Sequence, residues 1–386
     1  MSQENLHWSS VKIYQTGDPY FNDLMTDLRL AQKSITIEVY IFEIDPLTTV
    51  ILQELGEAKK RGCEVHILVD GFGSYFWLSA LERETRKLNL AFRIFQPFPR
   101  TLGWFRQFLF PFLSQFLGLL KRLNHRDHRK IVLIDEKIAY LGSLNMTQVH
   151  SQERMGIKAW KDTGLRLTGG SLHDLNRSFW MTWNRAPRMT LRRFLKRRDR
   201  DKNYDPKQSL VRLNSTTWSR YWLYRDLLRR IKTAESRIWI ETAYFLPKRS
   251  LLRALKKAAR RGIDVQIIVP AVTDFPIIKW AAEALIHALS EAGVAVFEFK
   301  PRVLHSKFFI IDQWATIGSH NWNHRSFLHD LEVEAIIHDP MEVEKLCADW
   351  RNDQRQSRLL TVEDLRPKNS LKAWLGRLAF RLRYLF

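Results

Sequence analysis

Residues 128–145 read HRKIVLIDEKIAYLGSLN, and residues 305–321 read HSKFFIIDQWATIGSHN. Both stretches place a His, a Lys two residues on, an Asp five further, and then Gly-Ser-x-Asn. The first set is His128, Lys130, Asp135, Gly142, Ser143 and Asn145; the second is His305, Lys307, Asp312, Gly318, Ser319 and Asn321. KIVLID and KFFIID are β-branched and aromatic runs, so both are predicted to be buried strands. On such a strand His128 and Lys130 share a face, as do His305 and Lys307. Asp135 and Asp312 lie seven residues from their histidines, an odd number, so the same parity turns them to the opposite face. They are counted with the motif among the candidate catalytic residues, with buried ionic or hydrogen-bonding support as the role expected of them. After a turn, Gly-Ser-x-Asn ends the next strand and brings a hydroxyl and an amide beside the His-Lys pair.

The sequence around these stretches also repeats. ILQELGEAKKRGCEVHILVD (51–70) and LLRALKKAARRGIDVQIIVP (251–270) align without gaps and match at 8 of 20 positions. Each is a helix ending at a Gly followed by a strand, and each is preceded by another helix and strand: 20–33 and 35–42 in one half, 219–234 and 237–247 in the other. Strand–helix–strand order predicts an α/β fold, and a period near 200 residues predicts two tandem domains rather than a solenoid. The expected divisions are a first domain at 1–190, a basic linker at 191–210, a second domain at 211–366 and a C-terminal helix at 367–386. The wider seam, 185–210, reads as a solvated linker or as a strip that touches phosphate headgroups.

Two His, two Lys and two Asn meeting at one point suit a phosphodiester. The Lys and Asn groups would bind non-bridging oxygens and stabilise charge on a pentacovalent phosphorus. One His would attack phosphorus, and the other would move the proton of the leaving and entering alcohols. There is no HExxH and no set of carboxylates at ligand spacing, so no metal or other cofactor is expected.

Composition narrows the substrate. The 386 residues carry 62 Lys+Arg against 41 Asp+Glu, a net charge of +21, which favours polyanions or an anionic membrane surface. Two cysteines, Cys63 and Cys347, cannot form a disulfide framework, and Cys63 reads as a buried thiol. The N-terminus lacks the pattern of a secretory signal, and no apolar run is long enough to span a bilayer. A cytoplasmic protein is expected, peripheral on the inner face of the cell membrane. Residues 101–123 (TLGWFRQFLFPFLSQFLGLLKRL) have no counterpart in the second half. They read as an interfacial segment or as a hydrophobic hairpin on their own domain. SLKAWLGRLAFRLRYLF at the C-terminus reads as a basic amphipathic helix, bound to a membrane surface or docked on the protein.

The repeated motif resembles that of the phospholipase D superfamily, HxKxxxxD followed by GSxN in two copies, and the resemblance covers nearly the whole chain. It implies two phospholipase D-like domains, each a mixed sheet flanked by helices, related by a pseudo-twofold axis around one shared site. It also implies a phosphohistidine intermediate without metal, and an acidic residue downstream of each motif that hydrogen-bonds an active-site His. Asp162 and Glu332 fall at that place in the two halves. IEVYIF with Glu38, VDGFGS (69–74), ETAYFLP and FEFKPRVLHSK are similar to the superfamily's bacterial cardiolipin synthases, most closely the shorter type B form. That likeness implies phosphatidyl transfer to phosphatidylglycerol, with phosphatidylethanolamine as another possible phospholipid substrate and His128 as the nucleophile. The competing reading is a hydrolase or nuclease that uses water. The apolar segments argue against a nuclease, and no nucleic-acid partner is expected.

Overall fold

The computed structural model describes residues 7–97, 125–186, 204–273 and 276–364. The segment 101–123, the seam residues 191–203 and the C-terminal 367–386 lie outside these described residues.

The first sheet has seven strands: β1 (Trp8–Tyr14), β2 (Ser34–Val39), β3 (Glu64–Asp70), β4 (Ala91–Phe95), β5 (Lys130–Ile134), β6 (Ile138–Gly142) and β7 (Gly164–Gly169). Their order is β1-β7-β6-β5-β2-β3-β4. β2, β3 and β4 run parallel, joined through helices Pro46–Lys60 and Leu78–Lys87, as the helix–strand pattern predicted. β5, β6 and β7 meander antiparallel, so the sheet is mixed.

The second half repeats this plan with β8 (Val211–Leu213), β9 (Arg237–Thr242), β10 (Phe245–Leu246), β11 (Asp264–Pro270), β12 (Ala295–Phe299), β13 (Lys307–Ile311), β14 (Trp314–Gly318), β15 (Trp322–Asn323), β16 (Val333–Ile337) and β17 (Ser357–Leu359). Eight of them form a sheet in the order β17-β12-β11-β9-β13-β14-β16-β8, and β10 pairs with β15.

After their opening lysines the motif strands are apolar at every position, because each sheet buries both faces. On β5, Val132 and Ile134 pack under the helices of their own half. Ile131 and Leu133 face the other way, into a core that also contains Phe308 and Ile310 of β13. Phe309 and Ile311 in turn face the helices of the second half. The two sheets therefore share one interface, and the start of β5 is brought to the start of β13.

The seam differs from a solvated linker where it is described. Tyr204 is buried in the shared core, and its hydroxyl donates to the Val211 carbonyl at 2.7 Å and accepts from the Leu213 N–H at 2.8 Å. Ser209 Oγ donates to Asp174 at 2.6 Å. Tyr204, Pro206, Ser209 and Leu210 are thus packed against the protein, while Asp205, Lys207 and Gln208 stay exposed.

Candidate active site

The lysines sit where β2 and β9 end. Lys130 pairs with Val39, and Lys307 pairs with Thr242. The histidines lie two residues earlier, just before the strands. The His128 N–H donates to the Leu331 carbonyl at 2.9 Å, and the His305 N–H to the Lys161 carbonyl at 2.7 Å. Each motif is therefore tied by main-chain bonds to the opposite half.

The acids cross over as well. His128 Nδ1 lies 3.0 Å from Glu332 of the second half, and His305 Nδ1 lies 2.8 Å from Asp162 of the first. Each Nδ1–H faces a carboxylate, which leaves each Nε2 for substrate. Ser143 Oγ donates to Asp162 at 2.7 Å, and Ser319 Oγ donates to Glu332 at 2.5 Å. The serines thus hold the acids. Asn145 and Asn321 are buried, and Asn145 Oδ1 accepts the Ile41 N–H at 3.3 Å.

The glycine of each Gly-Ser-x-Asn is required by close approach. A Cβ on Gly142 would run into the Thr163 carbonyl, and one on Gly318 into the Val333 carbonyl. Removing the side chain lets the strands come close enough for Ser143 N–H to reach Thr163 O at 3.0 Å and Ser319 N–H to reach Val333 O at 2.9 Å.

Asp135 and Asp312 are not at this centre, which corrects their place among the candidate catalytic residues. Each follows its strand at the far end, half-buried and with a positive φ of 54° and 52°. Asp135 accepts the N–H groups of Gln32, Lys33 and Ser34 at 3.0, 2.7 and 2.9 Å. Asp312 does the same for Glu235, Ser236 and Arg237 at 3.1, 2.8 and 3.1 Å. Their separation from the histidines comes from strand length rather than from parity, because the chain has already left the strand.

Three further side chains complete the centre. His150 Nδ1 lies 2.6 Å from Asp162, and its Nε2 accepts the Asn145 N–H at 3.0 Å. The rings of Tyr40 and His128 are 4.9 Å apart, and those of Trp160 and His305 are 5.2 Å apart. Tyr40 belongs to the IEVYIF run and Trp160 to the approach to Asp162, but nothing in the sequence marked His150.

Electrostatics favour an anion. Burial, then Lys307, holds His305 down to about 3, and burial with Lys130 lowers His128 well below its ordinary value. Burial also pushes Lys130 down to about 7, with Lys307 adding to the effect. Burial alone would raise both acids. His150 and His305 pull Asp162 well below the usual carboxylate range, whereas Glu332 stays raised. Among the described residues no group of His, Cys, Asp and Glu is placed to hold a metal ion.

Residues 24–155 and 227–353 match the family model described as cardiolipin synthase, PLD-like domain. The chain belongs to that family. It is 34% identical over 362 residues to a cardiolipin synthase of Staphylococcus aureus, covering 92% of this chain and 69% of that one. It is 31% identical over 335 residues to cardiolipin synthase B of Salmonella typhi, covering 86% of this chain and 77% of that one. The fold is also that of phosphatidylserine synthase of Haemophilus influenzae, with a TM-score of 0.75, 15% identity, and coverage of 97% and 95% of the two chains.

Proposed function

We infer that this protein is a phosphatidyltransferase that joins two phosphatidylglycerol molecules into cardiolipin and releases glycerol. The observation that carries the mechanism is the crossing of the acids, which leaves neither motif histidine with a carboxylate partner from its own half. The lipid substrate is supported by membership of the family and by the names of the relatives.

Lys130, Lys307, Asn145 and Asn321 would hold the non-bridging oxygens of the donor phosphate. His128 Nε2 attacks phosphorus, the bond from phosphorus to the glycerol oxygen breaks, and His305 gives that oxygen a proton. The primary hydroxyl of a second phosphatidylglycerol then gives its proton to His305 and attacks phosphorus, and the phosphorus–nitrogen bond breaks. Asp162 supports this division of roles, because the more firmly anionic carboxylate is the better partner for an imidazolium. A phosphodiester anion seated between the lysines offsets the field that keeps His305 deprotonated, so substrate binding and proton uptake are linked.

Attachment at the inner face of the cell membrane is part of this reading. It accords with the charge of +21, and among the described residues no helix is long and apolar enough to cross a bilayer.

Purified protein supplied with phosphatidylglycerol should form cardiolipin and glycerol in equal amounts, read by mass spectrometry. His128→Ala and His305→Ala should each lower the rate by about 10³-fold or more. Either variant retaining a tenth of the rate would sink the shared site. Phosphatidic acid as the product would mean that water is the acceptor, and cleavage of labelled plasmid without any lipid product would make the protein a nuclease.

A further inference from the structure

Among the described residues, most of the large apolar side chains that are exposed are gathered at one end. Ten of the described residues are of this kind; Leu30 closes the helix Gly17–Leu30 and Met341 opens the helix Pro340–Arg355, both at the opposite end, and Leu359 pairs with Phe297 within the sheet. The topology fixes the position of the others. β3 runs parallel to β2, and β11 parallel to β9, so all four strands end beside Lys130 and Lys307. Phe76 follows the end of β3, and Val272 follows the end of β11. Ile157 lies in the loop between Asn145 and Asp162, three residues before the ring that faces His305. Trp218 and Tyr221 open the helix Thr217–Thr233, which begins just after Leu213 pairs with Val333, the neighbour of Glu332. Phe76 is 89% exposed and Ile157 is 90% exposed, which no packing demand of the fold explains.

Cations accompany these side chains. Arg154 and Lys158 flank Ile157 and are exposed. Arg225 stands 5.5 Å from the Tyr221 ring. Apolar side chains edged with arginine and lysine suit a surface whose outer layer is anionic and whose interior is hydrocarbon.

We propose that Phe76, Ile157, Trp218, Tyr221 and Val272 form a rim that seats the mouth of the active site on an anionic lipid surface. This rests on the phosphatidyl-transfer reading, since a lipid substrate must leave the bilayer at the mouth of the site. The rim turns the starts of β5 and β13 toward the headgroups, so the scissile phosphate has only a short distance to travel from its leaflet.

The test uses the full chain and two double variants of similar chemistry at opposite ends. Phe76→Ser with Ile157→Ser should weaken sedimentation with phosphatidylglycerol vesicles by at least about tenfold. Leu30→Ser with Met341→Ser should leave it unchanged, although these side chains are 69% and 72% exposed. Cys63 and Cys347 are buried, so an environment-sensitive dye on Ile157→Cys will report that position, and its emission should shift to the blue on vesicles. Both double variants should keep wild-type transfer from short-chain phosphatidylglycerol dispersed as monomers, because neither touches the catalytic residues. Equal vesicle binding by wild type and the rim variant, equal losses in the two variants, or no shift of the dye would each overturn the rim. Absence of any transfer by wild type would overturn the functional reading instead.

Discussion

His150 lies five residues after Asn145, and the matching position after Asn321 is Ser326. The two half-sites therefore differ: Asp162 is hydrogen-bonded by two imidazoles, whereas Glu332 has His128 at hydrogen-bond distance, 3.0 Å, and His320 acting on it through its charge. Since His150 Nε2 accepts the Asn145 N–H, its proton must be on Nδ1, facing Asp162. One side chain thus links Asn145, the proposed phosphate ligand, to the acid behind His305. His150→Ser gives the first half the residue of the second, and should cut kcat by ~10–10² while KM changes little. With one donor lost, Asp162 acts more fully on His305, so the limb of the pH profile set by His305 should move to higher pH. A fall in kcat with the limb in place would reduce His150 to packing. Asp135 gives the opposite expectation. Its pKa is depressed because three N–H donors outweigh burial, so its contribution is present above the ordinary carboxylate range and fades as pH falls through the lowered value. Asp135→Ala should cost about 2 kcal/mol or less, given partial exposure, with kcat per folded molecule unchanged. A kcat loss beyond threefold would return Asp135 to the chemistry.

At the scale of elements, the repeat made the fold legible. Helix–strand order around 51–70 and 251–270 predicted β3, β11 and the helices before them to within a few residues, because each helix stops at a glycine with positive φ, Gly62 or Gly262. The continuous apolar runs of β5 and β13 showed burial but not which partners lay on each face; only the second sheet explains why Ile131 and Leu133 need to be apolar. The candidate catalytic groups His128, Lys130, Asn145 and their counterparts could be read from register between the halves. The pairing of acids could not. Asp162 and Glu332 were identified by position, but a linear sequence carries no sign that each would serve the histidine of the other half. His150 was missed for a related reason, since its partners are a main-chain N–H and a buried carboxylate.

At the scale of the whole molecule, the halves neutralise the same buried acid in different ways. Glu38 on β2 and Glu241 on β9 hold equivalent places, opposite Ile131 and Phe308. Glu38 has Arg129 at 2.6 Å within its own half, although burial outweighs the guanidinium and still raises its pKa well above the ordinary value. The residue equivalent to Arg129 is Ser306, so Glu241 and neighbouring Asp353 depend on Lys161, which crosses from the first half and lies 3.0 Å from Asp353. Burial, then Asp353, pushes Glu241 up to about 8, with Lys161 opposing them. A carboxyl group with a raised pKa binds its proton more tightly folded than unfolded. Its contribution is therefore complete below the ordinary carboxyl range and is lost as pH rises through the window up to about 8. The Lys161 carbonyl also accepts the His305 and Ser306 N–H groups at 2.7 and 3.0 Å, so the same junction holds one of the two motif histidines. Glu241→Gln keeps the shape and removes the titration. Thermal unfolding followed from pH 5 to pH 8 should show wild type losing stability relative to the variant as pH rises, by more than about 1 kcal/mol across the window. Parallel curves would mean that Glu241 titrates normally and that Lys161 neutralises both acids.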